Sequence, residues 1–193
     1  MHELLHDIPT RIETERLILR PYHAGDGAWY HGMSQKNKAH LARYESGNAV
    51  MTIKTVKEAE SVVRDFAAAW ATREAFILGA FRQDTQAFVA QIYIGVVNWD
   101  LPEFALGYFA DVEHQRQGYV TEATKGALCF IFEHLGAHRV RLECDEGNLR
   151  SCRVAERCGM VEEGHIRENK RNADGSISGT LHYGLLRSEF YAG

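Results

Sequence analysis

The chain has 193 residues, 45% of them hydrophobic and 25% charged, with a formal net charge of -4 at pH 7. That is ordinary globular composition with enough length for one core, so a single domain spanning 1–193 is expected. No large basic surface is available for counterion-release binding, which argues against a nucleic-acid partner. The opening MHELLHDIPTRIETERL has no apolar run of the secretion-signal kind, and no later stretch approaches the roughly 20 apolar residues of a membrane helix. A soluble, cytoplasmic protein with no membrane partner is the expectation.

In chain order, Arg16-Leu-Ile-Leu-Arg20 before Pro21 predicts a short strand closed by a residue that cannot donate to a ladder. A weakly helical stretch, Gly25 to Ser34, leads into residues 35–53, where no pattern assigns an element. Thr55-x-x-Glu58 is a capping box, and Val56, Ala59, Val63, Phe66 and Trp70 follow at helical spacing, predicting an amphipathic helix from Val56 to Thr72. Three strand-like runs come next, Phe76 to Arg82, Phe88 to Asn98 and Phe104 to Ala110, with connections short enough for an antiparallel meander. A polar turn then enters a helix carrying Val120, Ala123, Ala127, Ile131 and Leu135 on one stripe.

Arg139 to Cys144 alternates as a strand, and a short helix from Asn148 places Ser151, Val154, Ala155 and Cys158 on one side before Gly159 stops it. Val161 to Arg167 and Leu181 to Arg187 read as strands flanking the loop ENKRNADGSISGT, in which Asp174-Gly175 signals a tight turn. The four cysteines, Cys129, Cys144, Cys152 and Cys158, form no Cys-x-x-Cys pair and fall in apolar periodic segments, so reduced packing residues are expected. His134 and His138 have the spacing of helical metal ligands, but Gly136 between them ends the helix, and no metal site is expected. The summed pattern is α+β.

The turn from Gln115 to Val120 is the most informative stretch. A helix N-terminus presents unpaired N–H groups and a partial positive charge, which suits a phosphate. Gly118 would let a ligand approach the backbone, Arg116 could neutralise charge, and Gln115 could brace the turn; a solvated connecting turn is the plainer alternative. A P-loop would need a second glycine followed by Lys-Ser/Thr, and a dinucleotide fingerprint would need Gly-x-Gly, so nucleoside triphosphate and NAD are excluded.

Gln115-x-x-Gly118-x-Val120, with Thr121-Glu122-Ala123 behind it, resembles the acetyl-CoA pyrophosphate turn of the GNAT N-acetyltransferase superfamily. Arg141 to Ser151, Glu156 to Gly164, Thr14 to Pro21 and Leu185 to Phe190 resemble further elements of its RimJ/RimL-type branch (ribosomal-protein N-terminal acetyltransferase-like), in the same order. The resemblance implies a GNAT-like fold: a mixed, mostly antiparallel sheet of about seven strands with helices on both faces. The chain departs from the branch at Val112 (often Pro), His114 (often aromatic), Val120 (often Gly or Ala) and near Gly179, where an Asp is common. Because a helical side chain can point toward the sheet while its N–H points outward, Val120 is expected to be tolerated.

The same resemblance implies roles. Tyr108, Phe109 and Ala110 would contact the pantetheine arm through their main chain. Gln115, Arg116, Gln117, Gly118, Tyr119, Val120 and Thr121 would hold the pyrophosphate, and Asn148 would bind the cofactor. Ser151 would protonate the departing thiolate. Asn148 is equally a good helix cap, and Ser151 could be a small residue at a helix–sheet contact. Glu168, just after the penultimate strand, is the first candidate for the general base and Glu103 the second; either could be a solvated carboxylate.

The implied activity is acetyl transfer from acetyl-CoA, without a metal, to a primary amine by direct attack. A protein N-terminal amine has a reference pKa of about 7.7–8.0 and costs only about 1 kcal/mol to neutralise at pH 7, against about 4.6 kcal/mol for lysine. A ribosomal-protein-like N-terminus is therefore the first acceptor reading. Polyamines, aminoglycosides and amino-acid derivatives are alternatives, as is a non-catalytic acyl-CoA-binding module. Oligomeric state stays open, a homodimer included.

Overall fold

A computed structural model describes residues 7–172 and 174–192. Strands β1 (Ile12–Glu13) and β2 (Leu17–Pro21) precede helices α1 (Gly27–Leu41), α2 (Ala49–Thr52) and α3 (Val56–Thr72). Strands β3 (Ala75–Arg82), β4 (Phe88–Asn98) and β5 (Glu103–Ala110) form the expected meander. A 3-10 turn at Val112–His114 leads to α4 (Tyr119–Cys129), then β6 (Arg139–Asp145), α5 (Leu149–Arg157), β7 (Val161–Arg171), β8 (Ile177–Leu186) and α6 (Arg187–Phe190). One sheet holds all eight strands in the order β1-β2-β3-β4-β5-β6-β8-β7, the two-residue β1 bringing the count above seven. Of these neighbours only β5 and β6 run parallel, as the crossover through α4 requires.

Helices cover both faces of the sheet. On one, α1 and α3 set Tyr30, Ala59 and Val63 over Tyr22, Ile77, Phe81 and Phe88. On the other, α4 and α5 pack on Leu78, Ile92, Phe104, Leu106 and Leu142. The capping box at α3 forms as read: Glu58 N–H donates to Thr55 Oγ1 at 3.2 Å, and Thr55 N–H to Glu58 Oε2 at 2.9 Å.

Three elements differ from expectation. Helix α1 runs on to Leu41, and its buried stripe includes Ser34 and Asn37, polar residues that interrupt the apolar period which would have announced it. The helix beginning at Tyr119 leaves α-geometry at Cys129, and Phe130–His134 widen into a π-turn in which Leu135 N–H reaches the Phe130 carbonyl. Arg187 Nη1 donates to the Phe132 carbonyl at 2.8 Å, meeting a backbone group that the wider turn leaves free. Finally, β7 and β8 extend through most of the segment read as a loop, with a bulge between Ile166 and Lys170. Strand β7 is an edge strand whose side chains are largely exposed, so it has no apolar alternation to read.

Among the described residues no helix is long and apolar enough to cross a membrane. The first six residues of the opening stretch lie outside the described residues, as does Ala173 beside the Asp174-Gly175 turn. Of the four cysteines Cys144 and Cys152 are buried, but Cys129 is exposed on the outer side of α4. Thr55→Ala, which removes one of the two capping bonds, is expected to cost about 1 kcal/mol. Thermal unfolding should show this as a fall of roughly 2–4 °C in Tm.

Candidate active site

Strands β5 and β6 begin as partners, from Glu103↔Arg139 to Leu106↔Leu142, and then separate. β5 continues through Gly107–Ala110 and β6 through Glu143–Asp145 without meeting again. Asp111 N–H donates to the Val89 carbonyl at 2.9 Å, and antiparallel ladders alternate. Phe109 therefore directs its main chain to β4, while Tyr108 and Ala110 direct theirs into the gap.

Helix α5 sits across this opening. The Tyr108 hydroxyl donates to the Ser151 carbonyl at 2.9 Å, and Ser151 Oγ donates back to the Tyr108 hydroxyl at 3.3 Å. Burial pushes the Tyr108 phenol above its usual range, so it keeps its proton. The sequence reading gave Tyr108 a main-chain role alone; its side chain in fact fixes the turn that carries Ser151. Asn148 Oδ1 accepts from Ser151 N–H at 3.3 Å and so caps α5.

A cavity of about 260 Å³ opens beside Ser151, lined by Tyr44, Glu45, Glu143, Cys144, Asp145, Asn148, Lys170 and Thr180. Cys144 Sγ lies 3.3 Å from Cys152 Sγ, and burial together with that neighbour pushes its thiol up to about 12. Burial likewise raises the Glu45 carboxyl, offset in part by the Asn48 side chain and Lys170. Glu168 is exposed in the β7 bulge with a left-handed backbone (φ 52°) and is not among the lining residues. Glu103 lies at the paired end of β5, 3.5 Å from Arg139.

Gly179 is also explained by geometry. A Cβ there would come within 2.7 Å of the Ile166 carbonyl oxygen, so β8 cannot carry an aspartate at this point. The Gly179 N–H instead donates to Glu146 Oε1 at 2.7 Å, and Glu146 Oε2 lies 2.6 Å from His165 Nε2.

At the other end of the gap lies the turn into α4. Arg116 (φ 62°) and Gly118 (φ 82°) are both left-handed, which coils the backbone tightly before the helix. The hydrogen bonds among the described residues include none donated by the backbone N–H groups of Gln115 to Thr121. Such a run of free donors at a helix N-terminus fits a diphosphate. Gln115 is braced by Arg150, whose Nη1 donates to its Oε1 at 2.7 Å, and Arg116 is exposed. Val120 is half-buried and packs against the core that α4 shares with the sheet.

The base of the turn rests on two residues that sequence reasoning missed. Asp111 is fully buried, and its carboxylate accepts from Lys36 Nζ, Asn37 Nδ2 and Glu113 N–H while facing His114 Nδ1 at 3.0 Å. Asn37 closes the circuit by accepting from Val112 N–H at 2.8 Å. Burial opposes the Asp111 charge, but bonds from Lys36, Asn37 and His114 outweigh it and hold the carboxyl below its usual range.

Residues 16–161 match the family described as Acetyltransferase (GNAT) domain. The Bacillus subtilis (strain 168) protein named "Uncharacterized N-acetyltransferase YoaA" is 24% identical over 157 residues, 81% of this chain and 86% of that protein. Among solved structures, Mycobacterium smegmatis RimJ in complex with CoA-disulfide superposes with a TM-score of 0.81 at 21% identity, over 98% of this chain and 91% of that one. The ribosomal-protein-S5-alanine acetyltransferase from Vibrio fischeri gives 0.82 at 17% identity, over 94% and 99%.

Because the native Asp111 binds its last proton more weakly than the unfolded chain does, its contribution to stability is complete above about pH 4. That contribution is lost as pH falls through the depressed native value. Asp111→Asn is therefore expected to flatten the dependence of urea-unfolding stability on pH below 4. It should also cost about 2 kcal/mol at pH 7, since charged hydrogen bonds are lost.

Proposed function

Since the chain belongs to the GNAT acetyltransferase family, we propose that this acetyl-CoA-dependent acyltransferase acetylates the α-amine of a protein N-terminus, of the ribosomal-protein kind. The observation that carries the reading is the cavity beside Ser151, at the mouth of the β5–β6 gap. Its lining brings Glu45, Glu143 and Asp145 together against one lysine, Lys170, a balance that suits a cationic acceptor. Fold neighbours that act on ribosomal proteins support the choice of a protein amine.

In this reading the diphosphate of acetyl-CoA lies on the backbone N–H groups of Gln115 to Thr121, with Arg116 adding charge. Its acyl arm runs along Tyr108 to Ala110. Asn148 holds the start of α5 at the thioester end. The amine attacks the carbonyl carbon directly, the C–S bond breaks, and Ser151 Oγ–H gives its proton to the departing sulfur. Direct attack is favoured because Cys144, the thiol in the cavity wall, stays protonated at neutral pH and is a poor nucleophile.

Thiol release from acetyl-CoA is expected with peptides bearing free N-termini. Turnover of polyamines or aminoglycosides but of no peptide would sink the protein-substrate reading. Ser151→Ala should lower kcat by about 100-fold with acetyl-CoA affinity retained in calorimetry. Cys144→Ala should turn over near the wild-type rate, and an inactive Cys144→Ala would count against direct attack.

A further inference from the structure

Glu45 is a residue for which no sequence motif speaks. It lies in the turn that follows α1, where its N–H donates to the Leu41 carbonyl at 2.8 Å and its carbonyl accepts from Asn48 N–H at 2.9 Å. The neighbouring Tyr44 hydroxyl donates to the Gly147 carbonyl at 3.0 Å, tying this turn to the loop between β6 and α5. Asn48 in turn caps α2, its Oδ1 accepting from Val50 N–H at 3.1 Å, and its side chain acts to lower the Glu45 carboxyl. The Glu45 backbone is thus fixed at both ends of a short segment, and the residue lines the wall of the cavity beside Ser151.

The other carboxylates of this cavity are differently placed. Asp145 is buried and already accepts from Ser178 Oγ at 2.6 Å and from Gly147 N–H at 2.9 Å. Glu143 is exposed and faces His182 Nδ1 at 3.7 Å. Of the three, Glu45 combines partial desolvation, which outweighs the opposing effects of Asn48 and the Lys170 cation, with a place on the wall beside Ser151, an arrangement that suits a carboxylate to accept a proton.

We propose that Glu45 is the general base of the acetyl transfer, a role that rests on the acetyl-transfer reading above. The acceptor ammonium gives one proton to the Glu45 carboxylate, which passes it to solvent. The neutral nitrogen then forms the C–N bond as the C–S bond breaks. Ser151 Oγ protonates the leaving sulfur and is replenished by the second proton shed from nitrogen, so one proton is released per acetamide formed. Burial raises the Glu45 carboxyl while Asn48 and Lys170 on β7 lower it, and the other titratable groups sharing the cavity wall are Tyr44 on its own turn and Glu143, Cys144 and Asp145 on β6.

The test is the pH dependence of kcat/KM for a peptide acceptor, measured on the full chain, with acetyl-CoA binding by calorimetry as the check of an intact fold. Glu45→Gln is expected to lose about 100-fold in rate and to lose the acid limb of the profile, with acetyl-CoA affinity within about twofold of wild type. Glu45→Asp, which keeps the carboxylate, should retain that limb at a reduced rate and serves if the Gln variant does not fold. Glu168→Gln should stay within about threefold of wild type. A Glu45→Gln enzyme with the wild-type rate and profile overturns the proposal, as does a Glu168→Gln enzyme that alone loses the limb. A wild-type chain that binds acetyl-CoA yet acetylates no amine overturns the acetyl-transfer reading itself, and the role of Glu45 with it.

Discussion

The parting of β5 and β6 after Leu106 and Leu142 is the constraint on which the rest of the structure depends. A sheet that stops pairing in its middle exposes main-chain groups that pairing would otherwise satisfy, and such groups are costly unless water or a ligand meets them. The fold holds the break open from both sides. Tyr108 on β5 reaches α5, the helix that follows β6, and so ties the two sides of the break to each other. On the opposite face the turn after α1 reaches across to Gly147, which makes a walled cavity of what would otherwise be an open cleft.

From this one divergence the placement of the other parts follows. The parallel crossover sends the chain from the end of β5 through the left-handed turn at Arg116 and Gly118 into α4. The free N–H groups therefore gather at the end of the gap rather than along its side. Asp111, where β5 ends, has its carboxylate saturated by α1 and by its own turn. Strand end and helix start are thereby fixed relative to each other, a rigidity that the proposed diphosphate site would require because its donors would be backbone groups with no rotamers to adjust.

Local chemistry was legible in the sequence wherever a residue acts on its own neighbours. Thr55 and Glu58 announce α3 because both partners lie within four residues, and Gly118 marks the turn because its backbone demands it. The gap itself was not legible: Phe104 to Ala110 and Arg139 to Cys144 each read as good strands, and nothing in either says where pairing with the other ends. Asn37 hid α1 for a related reason, since its burial depends on Asp111, far along the chain. Glu45 sits in a stretch without periodicity, and its value comes from what Tyr44 reaches and from the walls around it. Glu168 matched a position in the sequence, but the bulge in β7 turns that position outward.

The turn into α4 also depends on a part of the chain far from it. Glu122, in the first turn of α4, accepts from Thr14 Oγ1 at 2.6 Å and from the main chain and side chain of Arg16 at 2.7 Å. Arg16 in addition lies 4.6 Å over the Tyr119 ring and donates to the Gln117 carbonyl at 3.3 Å. These contacts join residues 106 or so positions apart, and closing a loop of that length costs chain entropy before any contact repays it. The helix end can therefore form early as local structure, but its final setting waits for β2 to dock. A chain without Thr14 and Arg16 would keep every residue of the turn into α4 and still lack the frame that aims it.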